Sequence, residues 1–300
     1  MKLILFKVVK ELNVGIATAV EILEKGGFKI ENKPTTEVPF EAYYYLAHQL
    51  GVKPTLLLPV PEKEEEITSF KLLAEIRNKK GVPKSVFKYF PRNDLSIKSL
   101  KENYLYHSIF TGFNDPFDCN LNLINFKKGK TPYTGTKSKF LSQFNRTGIC
   151  CFTSEKNSIL MWSHYASHHS GFCLEFLSNK RPNGINPLNV VYKKKFKTAD
   201  YHKQKEDSSV HLIYSKSECW EYENELRTFI TDINNDNERQ VPFDRNDLLS
   251  VYLGVKCPPD FENEIKVILK EVYENKVKLF RGKLSNDAFE ILWDEIELLP

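Results

Sequence analysis

The sequence predicts an α+β fold: a small three-helix N-terminal module, a linker, and a larger domain with a curved, mostly antiparallel sheet flanked by helices. Three observations predict it. Residues 1–50 carry apolar side chains at helical spacing, closed by glycines. Residues 51–84 are rich in proline and glutamate. From residue 85 onward, short β-prone runs alternate with polar turns, and few strand–helix–strand units alternate strictly.

Leu5, Val8, Val9 and Leu12 define the first helix, and Ala19, Ile22 and Leu23 the second. Gly26-Gly27 stops the second helix, because glycine enters left-handed backbone without a Cβ clash. Phe28-Lys29-Ile30 reads as a short extended piece. Pro39 opens a third helix through Tyr43, Tyr44, Leu46, Ala47 and Leu50, ending at Gly51. In the linker, Pro54, Pro59, Pro61 and the run Glu62-Lys63-Glu64-Glu65-Glu66 oppose a packed core. Ile67, Phe70, Leu73, Ala74 and Ile76 fit one amphipathic helix inside it. In the domain spanning 85–300, strands are predicted at 86–90, 104–107, 148–152, 171–176, 190–192, 223–230 and 251–253. Helices are predicted at 95–101, 158–166, 261–271 and 285–293.

Hydrophobic content of 41% supports a packed core, and 27% charged residues is ordinary for a water-soluble chain. A formal charge of +4 is too small to define a nucleic-acid binder, but its distribution is uneven. Residues 119–154 hold no Asp or Glu, yet contain Lys127, Lys128, Lys130, Lys137, Lys139 and Arg146. A second cluster is Lys193, Lys194, Lys195 and Lys197. Such blocks either attract phosphates or form a solvated loop face. The six cysteines include no CxxC pair and sit among apolar neighbours, as reduced buried thiols do. The opening apolar run is too short for a signal core, and no stretch approaches the ~18 apolar residues of a membrane span. A cytoplasmic protein with no membrane partner is expected.

Three segments carry candidate chemistry. Phe113-Asn114-Asp115-Pro116-Phe117-Asp118 is a turn between apolar anchors, with Asn114 and Asp115 able either to bond their own backbone or to hold a ligand. Met161-Trp162-Ser163-His164-Tyr165-Ala166 reads as helix, with Met161 and Tyr165 on one side and His164 about a hundred degrees away. His164 and His168 have the i, i+4 spacing of a metal pair, but no third ligand stands at diagnostic spacing, and no metal is expected. Trp220-Glu221-Tyr222-Glu223-Asn224-Glu225-Leu226-Arg227, taken as a strand, puts Glu223, Glu225 and Arg227 on one face. Buried carboxylates and a guanidinium need mutual pairing or a task, so this segment is either a salt-bridged strand or part of a site.

Two resemblances follow from these residues. LFKVVKELNVGIATAVEILEKGGFKIENKPTTEVPFEAYYYLA, about one sixth of the chain, is similar to the N-terminal helical module of bacterial translation initiation factor two. That resemblance implies a small adaptor that docks on nucleic acid or translation machinery. The ordered set KYF, FNDPFD, CCFTS, LMWSHYA, GFCLEF, VVY and WEYENELR resembles the bacterial domain-of-unknown-function family 2971, over residues ~86–255. No reaction comes with that family. A fold-level analogy to ADP-ribosyltransferase-like domains rests on the strand–helix–strand start at 86–106 and the late Glu-x-Glu. The sequence departs from their pattern in lacking a Ser-Thr-Ser strand, and Lys88-Tyr89 replaces the usual first-strand His or Arg.

Two functions are therefore expected. One is a defence or toxin-type effector enzyme acting on a nucleotide-type ligand, with NAD as donor. Its catalytic residues would be Glu223, Glu225 and His164, and its ligand-binding residues Asn114, Asp115, Trp162, Tyr165, Trp220 and Arg227. The alternative is a non-catalytic protein that binds nucleic acid or a partner, stacking bases on Phe126, Tyr133, Phe140 and Phe144 among the basic residues.

Overall fold

Apolar spacing in the first fifty residues produces three helices: α1 (Leu5–Glu11), α2 (Ile16–Lys25) and α3 (Phe40–Gln49). The computed structural model describes residues 3–52, 81, 83–127, 134–178, 184–195, 198–202 and 205–299. The helix predicted at 67–76 lies outside them. Leu5, Val8, Ala19, Leu23, Tyr43 and Leu46 close a core belonging to the module alone. Gly26 is required there, since a Cβ would stand 2.4 Å from the Tyr45 ring, and Gly27 takes the left-handed turn at φ 82°. The 28–30 piece pairs with no strand; Phe28 instead packs on Tyr45, ring centroids 5.5 Å apart. The module rests on the larger domain through Ile109 and an exposed Lys137–Glu41 pair at 3.5 Å.

The larger domain contains, in chain order, β1 (Ser85–Phe90), α4 (Asp94–Lys101), β2 (Tyr104–Tyr106), β3 (Ile124–Asn125), α5 (Thr134–Phe144), β4 (Gly148–Thr153), α6 (Ile159–Tyr165) and β5 (Phe172–Leu177). Then come β6 (Leu188–Asn189), β7 (Val191–Lys193), β8 (Ala199–Asp200), α7 (Lys205–Tyr214), β9 (Ser215–Ser217), β10 (Glu225–Ile230), β11 (Gln240–Pro242), β12 (Leu248–Leu253), α8 (Pro259–Tyr273), β13 (Lys278–Leu284) and β14 (Ile291–Glu295). Eight strands form the main sheet in the order β14-β13-β12-β5-β1-β4-β10-β6. Every pairing in it is antiparallel except β12 with β13, which α8 joins by a crossover.

The two sheet faces have different tasks. Val86, Phe90, Phe152 and Leu226 point to the main core, where Phe261, Ile265 and Leu269 of α8 cover them. On the other face the registers Phe87↔Thr153 and Glu225↔Thr153 align Phe87, Thr153 and Glu225 across three strands, with Arg227 opposite Cys151. Strand alternation thus delivers Thr153, Glu225 and Arg227 to the same side. Among the described residues all six cysteines are free, four of them buried.

Two predictions need correction. Residues 285–293 are not a helix: Ser285–Glu290 form a turn, and Ile291, Leu292 and Trp293 pair with β13. The aromatic and branched residues there gain more from extending the sheet than from a helical face. The 223–230 strand starts at Glu225, because Glu218–Glu223 winds as a 3-10 helix. The sequence reading also missed α5, α7 and β13.

Candidate functional site

The site starts with one backbone reversal. Asn224, at φ 44° and ψ 49°, ends the 3-10 helix and starts β10. Asparagine tolerates that left-handed conformation, which side chains with branched Cβ atoms resist. The reversal puts Glu223 above the sheet face from which Glu225 and Arg227 already project. Thr153 Oγ1 fixes the turn by donating to the Glu223 carbonyl oxygen at 2.5 Å.

Arg227 is held along both edges of its guanidinium. Asp118 accepts from its two terminal nitrogens at 2.8 and 2.5 Å, and Glu225 accepts from Nε and a terminal nitrogen at 2.7 and 2.9 Å. The Ile213 carbonyl oxygen accepts a further bond at 2.7 Å, and the Phe113 ring lies 5.2 Å from the guanidinium. Lys216, on β9, donates to Glu223 at 2.5 Å and Glu225 at 2.9 Å, with Asp118 at 3.8 Å. Tyr165, from α6, donates to the other Glu223 oxygen at 2.6 Å and accepts from Asn114 Nδ2 at 3.1 Å.

All five charged members are no more than 7% exposed, so water screens them little. Three carboxylates face two cations. Glu225 receives the larger share of positive charge: burial pushes its pKa up, but Arg227 and Lys216 outweigh burial and hold it at about 2. Glu223 is shifted upward, by burial first and by the Glu225 charge, against the pull of Lys216. Burial and the Glu223 charge also raise the Tyr165 phenol, which stays protonated and donating. Burial and neighbouring charge thereby move the two glutamates in opposite directions, Glu225 downward and Glu223 upward.

Both line a cleft of about 230 Å3 with Phe87, Tyr89, Phe113, Met161 and Asn114. Of the residues expected from sequence, Glu223, Glu225, Arg227, Asn114 and Tyr165 meet there. Four others do not line it. Trp162 is fully buried, donating from Nε1 to the Lys156 carbonyl oxygen at 2.8 Å and packing on Tyr89 and Trp293; Met161 faces the cleft in its place. His164 is exposed on the next helical face, with Trp220 6.5 Å away between ring centroids. Trp220 lies over Lys216 Nζ at 5.0 Å, outside the cleft. Asp115 is buried, and its Oδ1 accepts from Phe117 N at 2.9 Å, which shapes the turn.

The His164–His168 helical pair does not form, because α6 ends at Tyr165 and residues 167–169 all take positive φ. Among the described residues, no group of three or more His, Cys, Asp or Glu is placed to hold a metal ion. Asp118, Glu223 and Glu225 do meet, but around Lys216 and Arg227. The stacking residues Phe126, Phe140 and Phe144 are buried together in a core cluster, so they offer no face to a base. Tyr133 lies outside the described residues.

Sequence reasoning missed Lys216 and the pairing role of Asp118. Asp118 was within a quoted motif, and a lone lysine between Ser215 and Ser217, just before an acidic segment, was the available signal for Lys216.

Residues 161–228 match the family described as "Protein of unknown function (DUF2971)". The match runs from Met161 on α6 to Thr228 on β10, so it contains Tyr165, Lys216, Glu223, Glu225 and Arg227 but not Asn114 or Asp118. The N-terminal region is similar to translation initiation factor IF-2. Identity is 33% over 76 residues with the Parabacteroides distasonis protein, covering 25% of this chain and 7% of that one. It is 41% over 58 residues with the Bacteroides fragilis protein, covering 19% and 6%. This chain therefore spans only a small fraction of those relatives. No solved structure gives a significant match. Among the described residues no helix is long and apolar enough to cross a membrane.

Proposed function

We propose that the Glu223 cleft is the active site of an enzyme acting on a nucleotide-type ligand, transferring ADP-ribose from NAD. The observation that carries this reading is the division of labour between adjacent carboxylates. Glu225 is neutralised by Arg227 and Lys216 and serves to position Lys216. Glu223, shifted upward by burial and the Glu225 charge and held in place by Tyr165 and Lys216, lines the cleft beside aromatic walls.

In the reaction, the bond between nicotinamide and ribose breaks, and its electron pair leaves with nicotinamide. A water or target nucleophile bonds to the ribose carbon, and its proton passes to Glu223 and then to solvent. The Glu223 carboxylate stabilises the positive charge that develops on the ribose. Tyr165 and Asn114 orient that carboxylate. Phe87, Tyr89 and Phe113 supply flat apolar surface for a ring.

The N-terminal module, similar to part of a translation initiation factor, would dock this enzyme on its target, nucleic acid or translation machinery, in a defence or toxin-type role. Incubating the protein with NAD and following nicotinamide by chromatography tests the reading. Release that disappears in Glu223→Gln supports it; no release by the unaltered protein ends it.

A further inference from the structure

A second cleft of about 270 Å3 adjoins the first and is lined by Phe117, Leu123, Lys193, Lys194, Lys195, Ser215, Lys216 and Ser217. Two features join the clefts. Lys216 lines both. The 113–118 turn gives Phe113, Asn114 and Asp118 to the first and Phe117 to the second.

Their electrostatics are opposite in kind. In the first, carboxylates and cations balance. Among the described residues, the second is lined by four lysines and no carboxylate. Lys216 is saturated by Glu223 and Glu225, so Lys194 and Lys195 carry the positive field of this cleft. Lys194 and Glu218 approach only to 3.9 Å, with the lysine 80% exposed, a contact that competes weakly with a ligand anion. The parallel pairing of β7 with β9 sets Lys193 beside Ser217, adding hydroxyl groups to the same wall.

We infer that the lysine cleft receives the diphosphate of the ligand whose glycosyl end lies against Glu223, making the two clefts one bipartite site divided at Lys216. The inference rests on the nucleotide reading of the first cleft. Phosphate oxygens are recognised by convergent cations, and the attraction weakens as salt rises.

Calorimetric titration of ADP-ribose, pyrophosphate and adenosine into the full chain tests it, with the double variant Lys194→Ala/Lys195→Ala and, separately, Glu223→Gln. Unchanged melting temperatures establish that both variants fold. At low salt the double variant is expected to bind ADP-ribose and pyrophosphate at least tenfold more weakly while adenosine is unaffected, and pyrophosphate is expected to compete with ADP-ribose. Unchanged ADP-ribose affinity in the double variant, or pyrophosphate that does not compete, would overturn the inference. A thymidine oligonucleotide that displaces pyrophosphate at lower concentration than ADP-ribose would overturn it in favour of nucleic acid. Glu223→Gln is expected to keep pyrophosphate binding. If NAD turnover is absent while lysine-dependent pyrophosphate binding persists, the proposed reaction fails and the phosphate site stands.

Discussion

Arg227 shows how residue chemistry and fold depend on each other. Its guanidinium is paired in bidentate fashion to both Asp118 and Glu225, and it is 1% exposed. Arg227→Ala leaves those carboxylates buried with only Lys216 near them, so equilibrium urea unfolding should show a loss of about 3–5 kcal/mol. Arginine beside glutamate was readable as a pair from sequence. Its partner Asp118, 109 positions away, was not, since no local periodicity encodes a contact at that separation. His107 gives a pH prediction. Burial first, with Lys88 and Arg239 nearby, depresses its pKa from 6.5 to about 4, and its ring contacts the Leu105 carbonyl oxygen and Thr228 Oγ1. A depressed folded value means that the unfolded chain binds the proton more tightly. The stability is therefore complete above pH 6.5 and is lost as pH falls toward 4, by on the order of 3 kcal/mol. Melting curves from pH 7 to 4 should show that slope, flattened in His107→Gln.

At the scale of elements, the decisive feature is the joint between the 3-10 helix and β10. A strand of period two would have placed Glu223 and Glu225 side by side on the sheet face. The left-handed Asn224 instead lifts Glu223 over it, so the side chains converge by a different route. The acidic spacing was legible; the joint was not, because asparagine also occurs at ordinary turns and strand ends. Asn224→Gly should leave stability nearly unchanged, while Asn224→Val should cost about 1–2 kcal/mol and weaken ligand binding, as chemical denaturation and titration will show. The same limit explains residues 285–293. Apolar spacing there fits a helix, yet a free edge on β13 offers Ile291 and Trp293 better partners. In α6 the periodicity worked in full: Met161 and Tyr165 face the cleft and His164 faces away.

At the scale of the molecule, each part has its own core. The module's hydrophobic cluster is separate from those of the sheet domain, meeting it at Ile109. Leu46 is fully buried there, so Leu46→Ala should cost about 2–5 kcal/mol, felt within residues 3–52. Hydrogen exchange should accelerate in α1–α3 and remain unchanged in β4 and β10. The helical module was legible because its contacts are short in sequence, and the sheet order was not, because β1 pairs with β5 across some eighty intervening residues. The proposed function implies that two neighbouring glutamates divide catalysis from architecture, a claim that paired variants address. NAD turnover and melting temperature should be measured together for Glu223→Gln and Glu225→Gln. Glu223→Gln is expected to melt within a few degrees of the unaltered protein and to lose at least a hundredfold in turnover, while Glu225→Gln should melt markedly lower. Full turnover in a folded Glu223→Gln protein would contradict the claim.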